Sequence, residues 1–354
     1  IQDKDGDENH HLYQTKLQTL ETKDLTPFEG VKVELISADP SMPNEMLIQM
    51  NQRDPTYFDV YRLNLTTGQI TLDTKNPGGV IHWVADHQLQ IRAAQSYTAD
   101  GSTLIRVRDN HASPWRDFIT IGSLDQGTII SFSEDNQAVY LMTNMDTNTI
   151  RLLKIDLADG KRTLLAEDPY YDLSSLKLHP TTHKLEAVGV ERERPDWIIL
   201  DPELKGDFDF LQDRFQGPFF LSSRDLTNQN WIVVSLSDQR PSHFYLYRRQ
   251  SKELTFLFST QPSLERYRLS PMQPITYQAR DGMQLHGYLT LPYGTKARNL
   301  PAVLLVHGGP WTRDSWGLNP LAQWLANRGY AVLQMNFRGS TGYGKAYLNA
   351  GDRE

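Results

Sequence analysis

Apolar and polar residues alternate in short runs along the first 260 residues, with turn residues between the runs. Val60 to Leu65 lead into Thr67-Gly68, Leu152 to Leu157 into Asp159-Gly160, and Phe244 to Tyr247 form a further short run. A period of two with polar punctuation predicts strands, and no long helical period interrupts it. Three stretches align as strand, polar turn, strand: VYRLNLTTGQITL from Val60, RLLKIDLADGKRTLL from Arg151 and LYRRQSKELTFLF from Leu246. Their turn centres, Gly68, Gly160 and Lys252, are 92 residues apart each time. Half of that step, 46, lands on Pro114 and Gly206 in turn-like stretches and, going backwards, on Thr22. A period in the forties made of short strands is the signature of a β-propeller blade. The six turn positions predict about six blades here, the first incomplete. The alternative is a large sandwich of unrelated hairpins.

Residues 259–273 contain Pro262 and Pro271 and carry no clean period, so they are expected to connect two domains. After them the pattern changes. Ile275 to Ala279, the turn Arg280-Asp281-Gly282, and Gln284 to Leu291 predict a hairpin. Ala302 to Val306 is a continuous Val/Leu-rich run, the pattern of a strand buried on both faces of a parallel sheet. Leu321, Trp324 and Leu325 stand at helical spacing before Gly329, and Tyr330 to Phe337 predict another strand. Strand, helix, strand is a βαβ unit, and an antiparallel hairpin leading into it is how an α/β-hydrolase sheet begins. The expected domains are a propeller over 1–260, a linker over 261–273, and the N-terminal part of an α/β-hydrolase domain over 274–354.

The chemistry gathers at the end of the Ala302–Val306 run, in His307-Gly308-Gly309-Pro310-Trp311. This resembles the HGGG-type turn that supplies one N–H of an oxyanion hole. Pro310 has no N–H, so Gly309 is the candidate backbone donor. The plainer reading is a tight strand-to-helix turn with no ligand. Asn336-Phe337-Arg338-Gly339-Ser340-Thr341-Gly342-Tyr343-Gly344 follows the next strand. It is neither G-x-G-x-x-G nor a Walker loop, and is expected to shape the site floor or anchor the next helix, with Arg338 as a structural ion-pair partner. Asp3 to Glu8 does not have EF-hand spacing and reads as an acidic turn. Asn9-His10-His11 has no metal partner at helical spacing, and Glu191-Arg192-Glu193-Arg194 is expected to be solvated charge. G-x-S-x-G occurs nowhere in the chain, so a catalytic triad is expected outside it and the chain is expected to be inactive alone.

Composition narrows the classes further. The net charge of −7 argues against a nucleic-acid partner, and the absence of cysteine excludes disulfides, thiolate metal sites and cysteine nucleophiles. No apolar run approaches a membrane span, and Ile1 to His10 is acidic and polar, unlike a signal peptide. The chain begins at Ile1 and stops in mid-pattern at Glu354, so it reads as an internal piece of a longer protein. The cytoplasm is the favoured compartment, with export left open by the missing start.

Propeller first and hydrolase second resembles the prolyl oligopeptidase family of serine peptidases, in its acylaminoacyl-peptidase and dipeptidyl-aminopeptidase-like branch. The resemblance rests on ARDGMQLHGYLTLP (279–292), LLVHGGPW (304–311) and NFRGSTGYG (336–344). It implies about seven blades in the full protein and hydrolysis of short peptides from the N-terminal side through an acyl-enzyme. It also implies a site enclosed between the two domains. Gly309 becomes an oxyanion donor, His307 supports its turn, and Glu8 and Trp311 are candidate substrate-binding residues, Glu8 from a propeller segment that holds the substrate's N-terminal end. No cofactor is implied, and a homo-oligomer is allowed. Two other readings remain, a non-catalytic propeller scaffold and an esterase of the same hydrolase fold.

Overall fold

The computed structural model describes residues 1–309 and 311–352. The chain divides into two compact units, one of residues 1–145 with 153–163, the other of 146–152 with 164–354. Among the described residues no helix is long and apolar enough to cross a membrane.

The first unit opens on a hairpin, Tyr13–Thr15 (β1) and Thr22–Asp24 (β2). Thr22 therefore starts a strand instead of centring a turn. Three four-stranded sheets follow. Val33–Ala38 (β3), Glu45–Asp54 (β4), Tyr57–Asn64 (β5) and Ile70–Thr74 (β6) pair in chain order. So do Val80–Ala85 (β7), Ile91–Tyr97 (β8), Thr103–Val107 (β9) and Arg116–Ile121 (β10). The third sheet contains Gly127–Phe132 (β11), Ala138–Thr143 (β12), Arg151–Asp156 (β13) and Arg162–Ala166 (β14). The middle strands carry the core. Ala138 to Thr143 in β12 are all buried, and Ile105, Ile121, Ile129, Phe132 and Leu141 pack into one cluster with Ala93 and Val107. Alternation within the flanking strands and burial of the central ones is what the repeat required.

The second unit begins with Leu173–Leu178 (β15), Leu185–Glu191 (β16) and Pro195–Ile199 (β17), a sheet of three strands. Its next element is a helix, Pro202–Phe215 (α1), where the expected turn at Gly206 falls in the helix interior. The signals for it are local. Asp201 caps it by accepting from Glu203 N at 3.1 Å, Pro202 starts it, and Gln216 ends it in the left-handed conformation. Leu204, Phe208 and Leu211 recur at helical spacing and enter a cluster with Phe219, Trp231 and Tyr247. Phe219–Arg224 (β18), Asn230–Ser235 (β19), His243–Arg248 (β20) and Glu253–Ser259 (β21) form the next sheet in chain order.

The last sheet has another topology. Met272–Gln278 (β22) and Gln284–Thr290 (β23) are the hairpin, Ala302–Val306 (β24) and Ala331–Asn336 (β25) the later strands, and the order is β22-β23-β25-β24. β24 and β25 are parallel and the other pairs antiparallel. Pro320–Ala326 (α2) joins β24 to β25, and Lys345–Asn349 (α3) follows. The architecture is thus an all-β propeller, five sheets and one two-stranded fragment, followed by the first part of an α/β-hydrolase fold.

One expectation about burial is corrected. β24 is an edge strand, with Leu304 and Val306 54% and 53% exposed, because only β25 flanks it among the described residues. In α2 the covered face is Ala322, Gln323 and Ala326, while Leu321 and Trp324 are exposed. The small residues let the helix lie close, and Gln323 uses its amide to bind Ser270 N and O and Asp238 O.

Candidate active site

β24 delivers His307 at its carboxyl end, and the chain turns at once. Gly309 has φ of 135°, a conformation that side chains rarely adopt. A Cβ there would lie 2.9 Å from Trp311 N and 3.1 Å from Thr312 Cγ2, so the turn is too tight for any other residue. Gly309 is exposed, and its N–H has no hydrogen-bond partner among the described residues. Pro310 lies outside the described residues. Trp311 is 70% exposed.

His307 is fixed from three sides. One ring nitrogen, Nε2, is 3.0 Å from Ser340 Oγ, the other is 2.7 Å from Gly308 O, and the ring stacks on Phe337 at 4.4 Å. Ser340 is fully buried. The two glycine-bearing segments that the sequence treats separately are therefore one assembly. Thr341 N donates to Thr312 O at 3.0 Å, and Asn336 binds both Asp314 N (2.7 Å) and Asp314 O (2.9 Å).

The segment after Gly339 docks on the rest of its unit. Gly344 N donates to Asp172 Oδ2, Ile150 N to Asp172 Oδ1, and Ala346 N to Asn148 Oδ1. Burial raises the Asp172 carboxyl pKa even though these N–H groups favour its charged form. His286 on β23 stacks flat on Tyr343, ring centres 4.4 Å apart, and burial lowers its pKa, with Arg313 adding to the effect. Arg338 pairs with Asp281 at 2.8 Å, the structural role expected for it.

Glu8 belongs to the first unit. It is exposed at a turn with φ of 60°, where its carbonyl meets His10 Nδ1. His307, Gly309 and Trp311 are thus held together in one turn, and Glu8 lies in the other unit. Glu193 and Arg194 are exposed, as expected of solvated charge, but the segment is also tied down. Arg192 pairs with both Asp168 and Asp196, Arg194 lies over Trp316, and the carbonyls of Glu191 and Arg192 accept from Arg313. Arg313, Asn336 and Ser340 were not singled out as site residues from sequence. Asn336 and Ser340 lie in the NFRGSTGYG segment without a marked role of their own, and no motif marks Arg313, whose carbonyl partners are more than a hundred residues away.

A family model described as the prolyl oligopeptidase family matches residues 316–354. Dipeptidyl aminopeptidase BIII of Pseudoxanthomonas mexicana is 38% identical over all of this chain and 52% of its own length. Dipeptidyl peptidase family member 6 of Caenorhabditis elegans is 28% identical over all of this chain and 53% of its length. Among solved structures, a puromycin-hydrolyzing peptidase of Mycobacterium tuberculosis superposes with a TM-score of 0.71 at 16% identity, over 99% of this chain and 59% of that one. An acylaminoacyl peptidase complex superposes with a TM-score of 0.63 at 15% identity, over 95% of this chain and 55% of that one. These two structures share the fold. By these matches the chain is similar to the prolyl oligopeptidase family. It spans about half the length of the curated relatives it matches.

Proposed function

We propose that the protein of which this chain is part is a serine peptidase that releases short units, dipeptides first among them, from the N-terminal side of peptides through an acyl-enzyme. The observation that carries this is the Gly309 turn, with an exposed, unpartnered N–H at the end of a parallel strand, in a chain 38% identical to a dipeptidyl aminopeptidase. When a serine oxygen adds to the scissile carbonyl, that carbonyl oxygen gains the charge. The Gly309 N–H donates to it, and collapse of the intermediate expels the amine and leaves an ester for water to cleave. In this reading residues 1–260 are the propeller, 261–273 the linker, and 274–354 the start of the catalytic domain. His307 supports the turn, and Trp311 and Glu8 are candidate substrate contacts.

The test is made on the full-length protein. It is expected to label with a fluorophosphonate probe and to hydrolyse a dipeptidyl anilide with a free N-terminus faster than an N-acyl-aminoacyl anilide. A reversed preference moves the assignment to acylaminoacyl release. Absence of labelling in folded protein favours a scaffold, and turnover of esters alone an esterase.

A further inference from the structure

Arg313 stands four residues beyond Gly309 and has no role in the reading above. Its guanidinium donates through Nη1 to Glu191 O at 3.0 Å and through Nη2 to Arg192 O at 3.2 Å and to Tyr343 Oη at 2.8 Å. Its Cζ lies 4.3 Å from the centre of the Tyr343 ring, on which His286 also stacks. The loop after β25 is shaped around it. A Cβ at Gly342 would lie 2.5 Å from Arg313 Nη1, so only glycine leaves room for the guanidinium. The same tyrosine hydroxyl accepts from Asn336 Nδ2 at 2.7 Å, and Asn336 holds Asp314 at both backbone groups. The β16–β17 hairpin is gripped a second time by Tyr288, whose hydroxyl donates to Glu193 O at 3.0 Å. That hairpin also walls a cavity of about 460 Å³ with Tyr171 and Gln216.

We propose that Arg313 is the positioning residue of the Gly309 turn: it clamps residues 311–314, just beyond Gly309, to the backbone of the β16–β17 hairpin and so fixes the direction of the Gly309 N–H. This rests on the oxyanion role proposed above. Three features support it. The two carbonyls are backbone groups, so the grip reads the path of the hairpin instead of any side chain. A planar fork holds two carbonyls and a hydroxyl through two nitrogens in a fixed geometry, which a compact, freely rotating ammonium does not reproduce. Gly309 itself is exposed, so its geometry depends on what holds the residues after it, where Arg313 acts beside the Thr341–Thr312 and Asn336–Asp314 bonds. Misplacement of a catalytic group by about 1 Å costs on the order of 10²-fold in rate.

The experiment compares wild type with R313A, R313K and G342A in the full-length protein, by amide exchange and by turnover of the dipeptidyl anilide. In all three variants the peptide spanning 305–316 is expected to exchange about tenfold faster or more, with β18–β21 unchanged. In R313A, kcat is expected to fall about 10²-fold with KM within about twofold, and methylguanidine in the buffer to restore part of it. R313K should not rescue. Wild-type exchange rates in R313A, or a kcat loss that R313K repairs, overturn the proposal. If wild type has no peptidase activity, the function proposed above falls, and the exchange comparison still decides whether Arg313 holds the turn.

Discussion

Gly309 and His286 show how single residues carry the site in different ways. The Gly309 N–H is useful only while the backbone keeps φ at 135°, and a methyl group would meet Trp311 N at 2.9 Å. Gly309→Ala is expected to lower kcat of the full-length peptidase about 10²-fold, the scale of losing one oxyanion donor, with a smaller change in KM. Steady-state kinetics on the dipeptidyl anilide checks this. His286 is held neutral by burial against Tyr343, so its pKa lies below the ordinary value near 6.5. Its contribution to stability is therefore complete above about pH 6.5 and is lost as pH falls through its lowered pKa. His286→Phe is expected to weaken the pH dependence of thermal unfolding between about pH 7 and pH 5. An unchanged pH profile would show that His286 is not kept neutral.

At the scale of elements, α1 is the case where reading by repeat misled. Register alone placed a turn at Gly206, but Asp201-Pro202-Glu203 is a helix start, and Leu204, Phe208 and Leu211 are a helical face. The cue lay in the sequence and was outweighed by the period of 46. What no pattern showed is the buried Asp207. Tyr247 Oη donates to it at 2.7 Å, and Arg249 Nε (2.9 Å) and Lys252 Nζ (2.5 Å) complete its shell, tying the helix to the β20–β21 hairpin. Burial alone would raise the Asp207 pKa, but these donors outweigh it and lower the value, so the bonds are stronger to the charged form. Asp207→Ala is expected to cost about 3 kcal/mol at neutral pH by leaving the largely buried Arg249 guanidinium and Tyr247 hydroxyl without this partner, measured by urea unfolding. The difference from wild type should shrink below about pH 4, as the native carboxylate takes up its proton. The hairpins around Gly68, Gly160 and Lys252 were legible because each turn is made by local residues.

Across the described residues, the order β22-β23-β25-β24 leaves β24 at the sheet edge with Leu304 and Val306 exposed. An apolar edge strand is a template for unwanted pairing. Leu304→Lys is expected to raise the concentration at which the 354-residue chain stays monodisperse in light scattering. Unchanged scattering would show that this edge does not drive association.

Taken alone, the sequence determined what depends on local periodicity and local steric need. It set the strands of the propeller, the switch to a βαβ unit after the linker, the left-handed Gly309 and the glycines of the second loop. Each of these is decided by a residue and its near neighbours, where alternation or the lack of a Cβ is enough. Only the tertiary structure decided that HGGPW and NFRGSTGYG are one assembly, joined by His307–Ser340 and Thr341–Thr312. It alone decided that the apparently solvated ERER segment offers its backbone to Arg313, and that β24 is half-exposed instead of buried. The physical reason is the same in each case. A hydrogen bond between residues 33 or 122 positions apart, or cover from another element, depends on where the chain returns, and periodicity carries no record of that.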